Sequence, residues 1–338
     1  MNADDRTRVA DALRAARAGE PIVYRGDYRN AVQLLRAMKR KLPRGAMPHS
    51  LAQAFRRVRE EKALEAALLG RLVVPLSNDY RIELAHAPDV AEACRAADLR
   101  PGLAALREIL GAVGADQWRR KGVWIGTLGG RVHPSWGVFA PVRGEYVDLV
   151  AAMPAPGGKR CLDVGTGTGV LALVLARRGA REVVATDVDP RACACARENA
   201  GRHRAAVRVV EADLWPPGEA PFDLIVANPP WVPAAPQTAI DRAVYDEGGR
   251  LLARLVSDLP SRLAPGGEAW LVLSDLAERL GLRAPGELER MFSAAGIEPA
   301  DRRSTRPRHP RSRDASDALY AARAAEQTHL WVLRPRGS

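Results

Sequence analysis

A chain of 338 residues, 47% hydrophobic and 27% charged, exceeds one typical domain, so two domains, each with its own core, are expected. No apolar run approaches the roughly 18 residues that cross a bilayer, and the first twenty residues lack the apolar stretch of a signal peptide, so the expectation is a globular cytoplasmic protein with no membrane partner. Cys94, Cys161, Cys193 and Cys195 form no CxxC pair and have no matching histidine spacing, so neither a metal site nor a disulfide framework is expected. The formal charge of +11 invites a nucleic-acid partner, although a bias toward Arg and Ala raises it without selection for a polyanion. Its distribution says more. Residues 1–60 carry 14 Lys and Arg against 6 Asp and Glu, and residues 302–313, RRSTRPRHPRSR, hold six arginines and no acid. The second run reads as a solvated, flexible loop or as a polyanion contact.

Taken in chain order, residues 1–121 read as a mainly helical domain, with helical apolar spacing through Val9 to Ala18, Ala31 to Met38 and Leu51 to Leu69. Asp27 and Ser50 are candidate N-caps, Leu72 to Val74 and Arg81 to Leu84 are candidate strands, and Pro88 to Ala97 and Pro101 to Val113 are candidate helices opened by proline. Residues 122–144 then change character: GVWIGTLGGRVHPSWGVF predicts a hairpin around Gly129-Gly130, connecting to a second domain at 145–338. There, short apolar runs alternate with helical stretches, as in a parallel sheet covered on both faces. Candidate strands are Arg160 to Val164, Glu182 to Asp187, Ala206 to Glu211, Phe222 to Ala227, Glu268 to Leu273 and Thr328 to Leu333. Candidate helices are Val170 to Arg178, Pro190 to Arg202, Gly248 to Leu263 and Pro285 to Ala295.

The run CLDVGTGTGVLALVL sets Asp163, Gly165, Gly167 and Gly169 after a strand and at the mouth of a helix, where a side chain would obstruct both the turn and a close ligand. A dinucleotide-binding oxidoreductase shares that logic, but here the spacing is GxGxG and an acid stands two residues before the first glycine. Asp187, 22 residues after Gly165, ends the next strand and is suited to accept from both hydroxyls of a ribose. Asp213 follows the third strand and is suited to an adenine amine, with Leu214 beside the ring. Together with Thr166 and Val188 in the same turns, and with Asn228, these are the candidate cofactor-binding residues.

The run FDLIVANPPWV places Asn228, Pro229, Pro230 and Trp231, the candidate catalytic residues, directly after an apolar strand. An amide or exocyclic amine nitrogen is a poor nucleophile because its lone pair is delocalised. The Asn228 side-chain carbonyl and the Pro229 backbone carbonyl supply two acceptors for its two N–H bonds, the prolines restrict where those acceptors point, and Trp231 offers a flat face for stacking.

With DVGTGTG at 163–169, ATDVDP at 185–190, EADL at 211–214, VANPPW at 226–231 and the stretch at 245–275, the chain resembles the HemK-like methyltransferases and the wider small-domain methyltransferase group over about residues 137–335. The resemblance implies a Rossmann-like class I fold, an α/β domain with a seven-stranded mixed sheet. It also implies S-adenosyl-L-methionine as cofactor, and N-methylation of a protein glutamine or an RNA base among translation macromolecules. Trp231 stands where the glutamine methyltransferases of that group usually carry tyrosine. The first 120 residues match no nameable recognition domain and serve, in this reading, for substrate recognition or as a lid. Methylation of a small molecule at N or O, and a nucleic-acid-binding module without catalysis, are the alternatives.

Overall fold

The computed structural model describes residues 1–43, 45–238, 240–308 and 314–337. Contacts divide the chain into two compact units, Met1–Arg120 and Lys121–Ser338.

The first runs β1 (Asn2–Ala3), α1 (Val9–Arg17), β2 (Ile22–Tyr24), α2 (Tyr28–Arg40), α3 (Leu51–Leu69), β3 (Leu72–Leu76), α4 (Ala91–Ala96), β4 (Gly102–Ala105) and α5 (Leu106–Lys121). α2 follows from its spacing: Ala31, Leu34, Leu35 and Met38 are buried, while Arg29, Gln33, Arg36 and Arg40 are exposed on another face. Asp27 caps it by accepting from Arg29 N at 2.7 Å, whereas the Ser50 side chain makes no capping bond on α3. Helix predominates, but a four-stranded sheet in the order β1-β2-β3-β4 runs through the unit, with β4 alone antiparallel to its neighbour. Two local readings need correction. Arg81 to Leu84 is no strand, since only Ile82 bridges to Leu76, and the helix read from Pro101 begins at Leu106 because residues 102–105 pair with β3. Strands of two to five residues are too short for their alternation to stand out.

The second unit opens with β5 (Val123–Ile125) and β6 (Gly130–Val132), an antiparallel pair around a short 3₁₀ turn closed by Gly129 at φ 56°. Ile125, Leu128 and Val132 lie in the same apolar cluster as Val147 and Leu171, so the hairpin belongs to this unit's core rather than to a free-standing connector. There follow α6 (Glu145–Ala151), β7 (Arg160–Val164), α7 (Val170–Arg177), β8 (Glu182–Asp187), α8 (Pro190–His203), β9 (Arg208–Glu211) and β10 (Phe222–Ala227). The chain ends with α9 (Arg250–Arg262), β11 (Leu263–Ser274), α10 (Leu276–Arg279), α11 (Glu287–Ala294), β12 (Ile297–Thr305), α12 (Tyr320–Ala325) and β13 (Thr328–Pro335).

Seven strands form one mixed sheet in the order β12-β13-β11-β10-β7-β8-β9, with β13 alone running against its neighbours. Its central strands are buried on both faces. In β10, Leu224 and Val226 point into one cluster while Ile225 and Ala227 point into the other, so Leu224 to Ala227 reads as an unbroken apolar run. β12 escaped the sequence reading because it is an edge strand whose side chains from Glu298 to Ser304 are exposed. It also takes up part of the arginine run read as a loop. Arg302 lies over the Trp331 ring at 4.8 Å, Arg303 donates to Ala152 O at 3.1 Å, and Arg308 pairs with Asp148 at 3.1 Å. Arg311 and Arg313 fall outside the described residues. Among the described residues no helix is long and apolar enough to cross a membrane.

Candidate active site

β7 ends at Val164, and the chain turns at once into α7. Gly165, Gly167 and Gly169 have φ of 69°, 55° and 83°, the left-handed region that only glycine enters cheaply. A Cβ on Gly169 would also meet Ala196 Cα at 3.2 Å, whereas one on Gly165 or Gly167 would point into open space, so those two leave bare backbone where a ligand can approach. Asp163 and Thr166, read as cofactor ligands, are turned inward, at 1% and 5% exposure. Asp163 Oδ2 accepts from Thr166 Oγ1 at 2.6 Å and from Ala172 N at 3.0 Å, so the visible work of both side chains is to hold the turn. Burial pushes the Asp163 carboxyl up to about 6, against the lowering effect of those two hydrogen bonds. Asn199, fully buried, adds a brace the sequence did not announce: it donates to Thr168 O at 3.0 Å and His133 O at 3.1 Å, and accepts from His133 N at 2.8 Å.

Asp187 ends the neighbouring strand β8. Its Oδ2 accepts from Gly167 N and its Oδ1 from Asp189 N, both at 2.9 Å. Burial raises this carboxyl above the ordinary carboxylate value, offset by the backbone donors. Val188 beside it is 64% exposed, an apolar surface next to the turn. The third strand end differs from expectation. Asp213 is paired to Arg254 of α9 at 2.8 Å, which occupies one oxygen read as an acceptor for adenine. Leu214, read as lying beside the ring, is 7% exposed at φ 66°, its side chain in the core and its carbonyl accepting from Thr186 Oγ1 at 2.7 Å.

Asn228 follows Ala227, whose register partner in β7 is Val164, so Asn228 and Gly165 emerge side by side from adjacent strands. The Trp231 indole N–H donates to Asn228 Oδ1 at 2.9 Å, and the ring packs against both apolar clusters. The Arg143 guanidinium lies over that ring, 4.7 Å from its centroid, on a face read as open for stacking. Beyond the loop, Val232 N donates to Val244 O at 3.2 Å, and the buried Asp246 accepts from Leu251 N and Leu252 N, each at 3.0 Å, tying the segment to the start of α9. Asp246 had a signal in sequence, an acid before Gly248-Gly249 and a helix. Arg143, Asn199 and Arg254 had none, since each is defined by a partner far along the chain.

A glycine turn opening beside Asn228, in a sheet whose final strand alone is reversed, is the arrangement of a Rossmann-like class I methyltransferase. The model of the methyltransferase small domain family matches residues 137–297. A Methanocaldococcus jannaschii protein named for protein N5-glutamine methylation is 30% identical over 152 residues, covering 43% of this chain and 76% of that protein. The release factor glutamine methyltransferase of Deinococcus radiodurans is 44% identical over 125 residues, 34% of this chain and 45% of the relative. A tRNA1(Val) (adenine(37)-N6)-methyltransferase of Aeromonas hydrophila is 35% identical over 138 residues, 37% of this chain and 56% of the relative. The chain thus spans about half the length of the last two. It belongs to the small-domain methyltransferase family: it is a methyltransferase, and its methyl donor is S-adenosylmethionine.

Proposed function

We propose that the enzyme methylates a planar amide or exocyclic amine nitrogen on a macromolecule of translation, a protein glutamine or an RNA base. The observation that carries this is the emergence of Asn228 beside Gly165, which sets a carboxamide acceptor next to the bare backbone of the cofactor turn. S-adenosylmethionine supplies an electrophilic methyl on a sulfonium. Gly165, Gly167, Asp187 and Val188 are the residues that fit its nucleoside and amino-acid parts, since they combine open backbone, free lone pairs and exposed apolar surface. Asp163, Thr166, Gly169 and Leu214 shape the turns that carry them, and Asp213 answers to Arg254 first.

Asn228 Oδ1 has one lone pair committed to Trp231 and one left for a target N–H, and the Pro229 carbonyl is the second acceptor. Held by both, a target nitrogen would be fixed in orientation toward a methyl donor bound at the glycine turn, and the entropy removed by such alignment would be worth about 7 kcal/mol or more of barrier. No general base is needed, because the proton leaves after the nitrogen has become cationic. Relatives named for glutamine and for adenine methylation support the same chemistry on two kinds of macromolecule. The basic first unit, with Arg29, Arg36 and Arg40 exposed along α2, is our candidate for recognition.

Purified protein is incubated with tritiated S-adenosylmethionine and fractionated cell extract, then treated with ribonuclease or protease. Label in RNA or in protein, lost in Asn228→Ala while cofactor binding persists, is the expected result. Absence of label from both, with cofactor still bound, would overturn the macromolecular reading in favour of a small-molecule acceptor.

A further inference from the structure

The contacts of Trp231 point inward. Its indole N–H is committed to Asn228, its backbone carbonyl accepts from Arg283 Nη2 at 3.4 Å, and Arg143 covers one ring face. Arg143 is itself fixed: Nε donates to Glu145 Oε1 at 2.7 Å and Nη2 to Glu326 Oε1 at 3.0 Å, and the same Glu326 oxygen accepts from Ser274 Oγ at 2.6 Å. Glu145 and Glu326 are 2% and 1% exposed, and Glu326 Oε2 is buried with no hydrogen-bond partner. Two buried carboxylates around one guanidinium, with an oxygen left over, make a poor stability device, because desolvation of such groups offsets most of their attraction. What the cluster does accomplish is geometric. Ser274 ends β11 and Glu326 precedes β13, so the clamp sits at the carboxyl ends of the parallel strands, on the rim from which Gly165 and Asn228 also emerge.

The donor chemistry of the ring explains why its placement matters. A carboxamide can rotate by half a turn, exchanging its acceptor oxygen for its donor NH₂. In the rotated state Asn228 would present N–H to the N–H of a target and the site would fail. Indole Nε1–H only donates, so a Trp231 held in place pairs with the oxygen and rejects the rotated amide. A tyrosine hydroxyl both donates and accepts and would tolerate either.

We propose that Arg143 is a positioning residue for methyl transfer: clamped between Glu145 and Glu326, it seats Trp231 so that the indole N–H fixes the Asn228 carboxamide with its oxygen toward the target nitrogen. The catalytic consequence rests on the N-methylation reading above; the conformational claim does not.

The test therefore has two readouts. In ¹⁵N-labelled full-length protein the seven tryptophans give indole N–H signals, and Trp231→Phe identifies the one from Trp231. Arg143→Gln shifts that signal and speeds its hydrogen exchange about tenfold, as a released hydrogen bond would. Arg143→Lys, which restores charge without the planar fork, recovers the signal in part. On the extract fraction that wild type labels, Arg143→Gln slows transfer at saturating cofactor about 100-fold, the scale expected of a misplaced acceptor, with cofactor affinity unchanged. Should Arg143→Gln not fold, the near-isosteric Glu326→Gln takes its place and shifts the same signal. A Trp231 signal that neither moves nor exchanges faster in a folded variant overturns the proposal, as does full-rate transfer by Arg143→Gln. A signal that moves while wild type labels no fraction sinks the macromolecular reading and leaves the clamp standing.

Discussion

Asp163 holds the glycine turn between β7 and α7 together, and its burial has a measurable consequence. Its carboxyl titrates at about 6 in the folded protein against 3.8 when free, so the folded state holds the proton more tightly than the unfolded chain. Above that value the buried charge costs the fold about 3 kcal/mol, and the cost disappears as pH falls toward 4. Asp163→Asn keeps an acceptor oxygen for Thr166 and Ala172 but carries no charge. Its stability relative to wild type should therefore rise by about 2–3 kcal/mol between about pH 4 and about pH 7.5, measured by urea unfolding without cofactor. A difference that stays flat with pH would mean that Asp163 is not the strained charge this geometry makes it.

At the scale of elements, the loop at 228–231 depends on the start of α9. Both Asp246 oxygens accept backbone N–H groups from Leu251 and Leu252, and Asp246 N donates to Val232 O, so one residue caps a helix and anchors the loop that carries Trp231. Asp246→Ala should cost about 1–2 kcal/mol in thermal or denaturant unfolding, the usual penalty for a lost helix cap. It should also increase hydrogen exchange at Val232 and its neighbours; protection equal to wild type there would detach the cap from the loop. Elements read correctly from sequence are those with strong periodicity, such as β10, buried on both faces, and α2, with its buried stripe. β12 was missed because an exposed edge strand carries polar side chains on both faces, with an irregular register between Pro299 and Asp301.

For the whole molecule, the apolar clusters respect the division of the chain. One draws only on residues from Met1 to Val113, the others only on residues from Val123 onward. Each unit thus has a core of its own, and residues 121–338 should fold alone and bind S-adenosylmethionine with affinity within about threefold of the full chain, as calorimetry and circular dichroism would report. A fragment that stays unfolded would refute the independence of the two cores. If the first unit recognises the target, the same fragment will bind cofactor yet label neither RNA nor protein in extract.

The amino-acid sequence by itself determined what is written in contiguous residues. The Gly165, Gly167 and Gly169 turn, the carboxylate of Asp187 and the Asn228-Pro229-Pro230-Trp231 loop are recognisable because each chemical unit lies within a window of a few residues next to a periodic element. Tertiary structure alone decided which of those groups remain available. Arg143 meets Glu326 across 183 positions and Arg254 meets Asp213 across 41, and nothing local in either segment marks the pairing. Inward-facing Asp163 and Leu214 follow the same rule, since a side chain's direction at the end of a strand or in the loop beyond it is fixed by what packs around it. Local sequence specifies turns and candidate chemistry; only packing of distant segments specifies burial, partners and the face that each group presents.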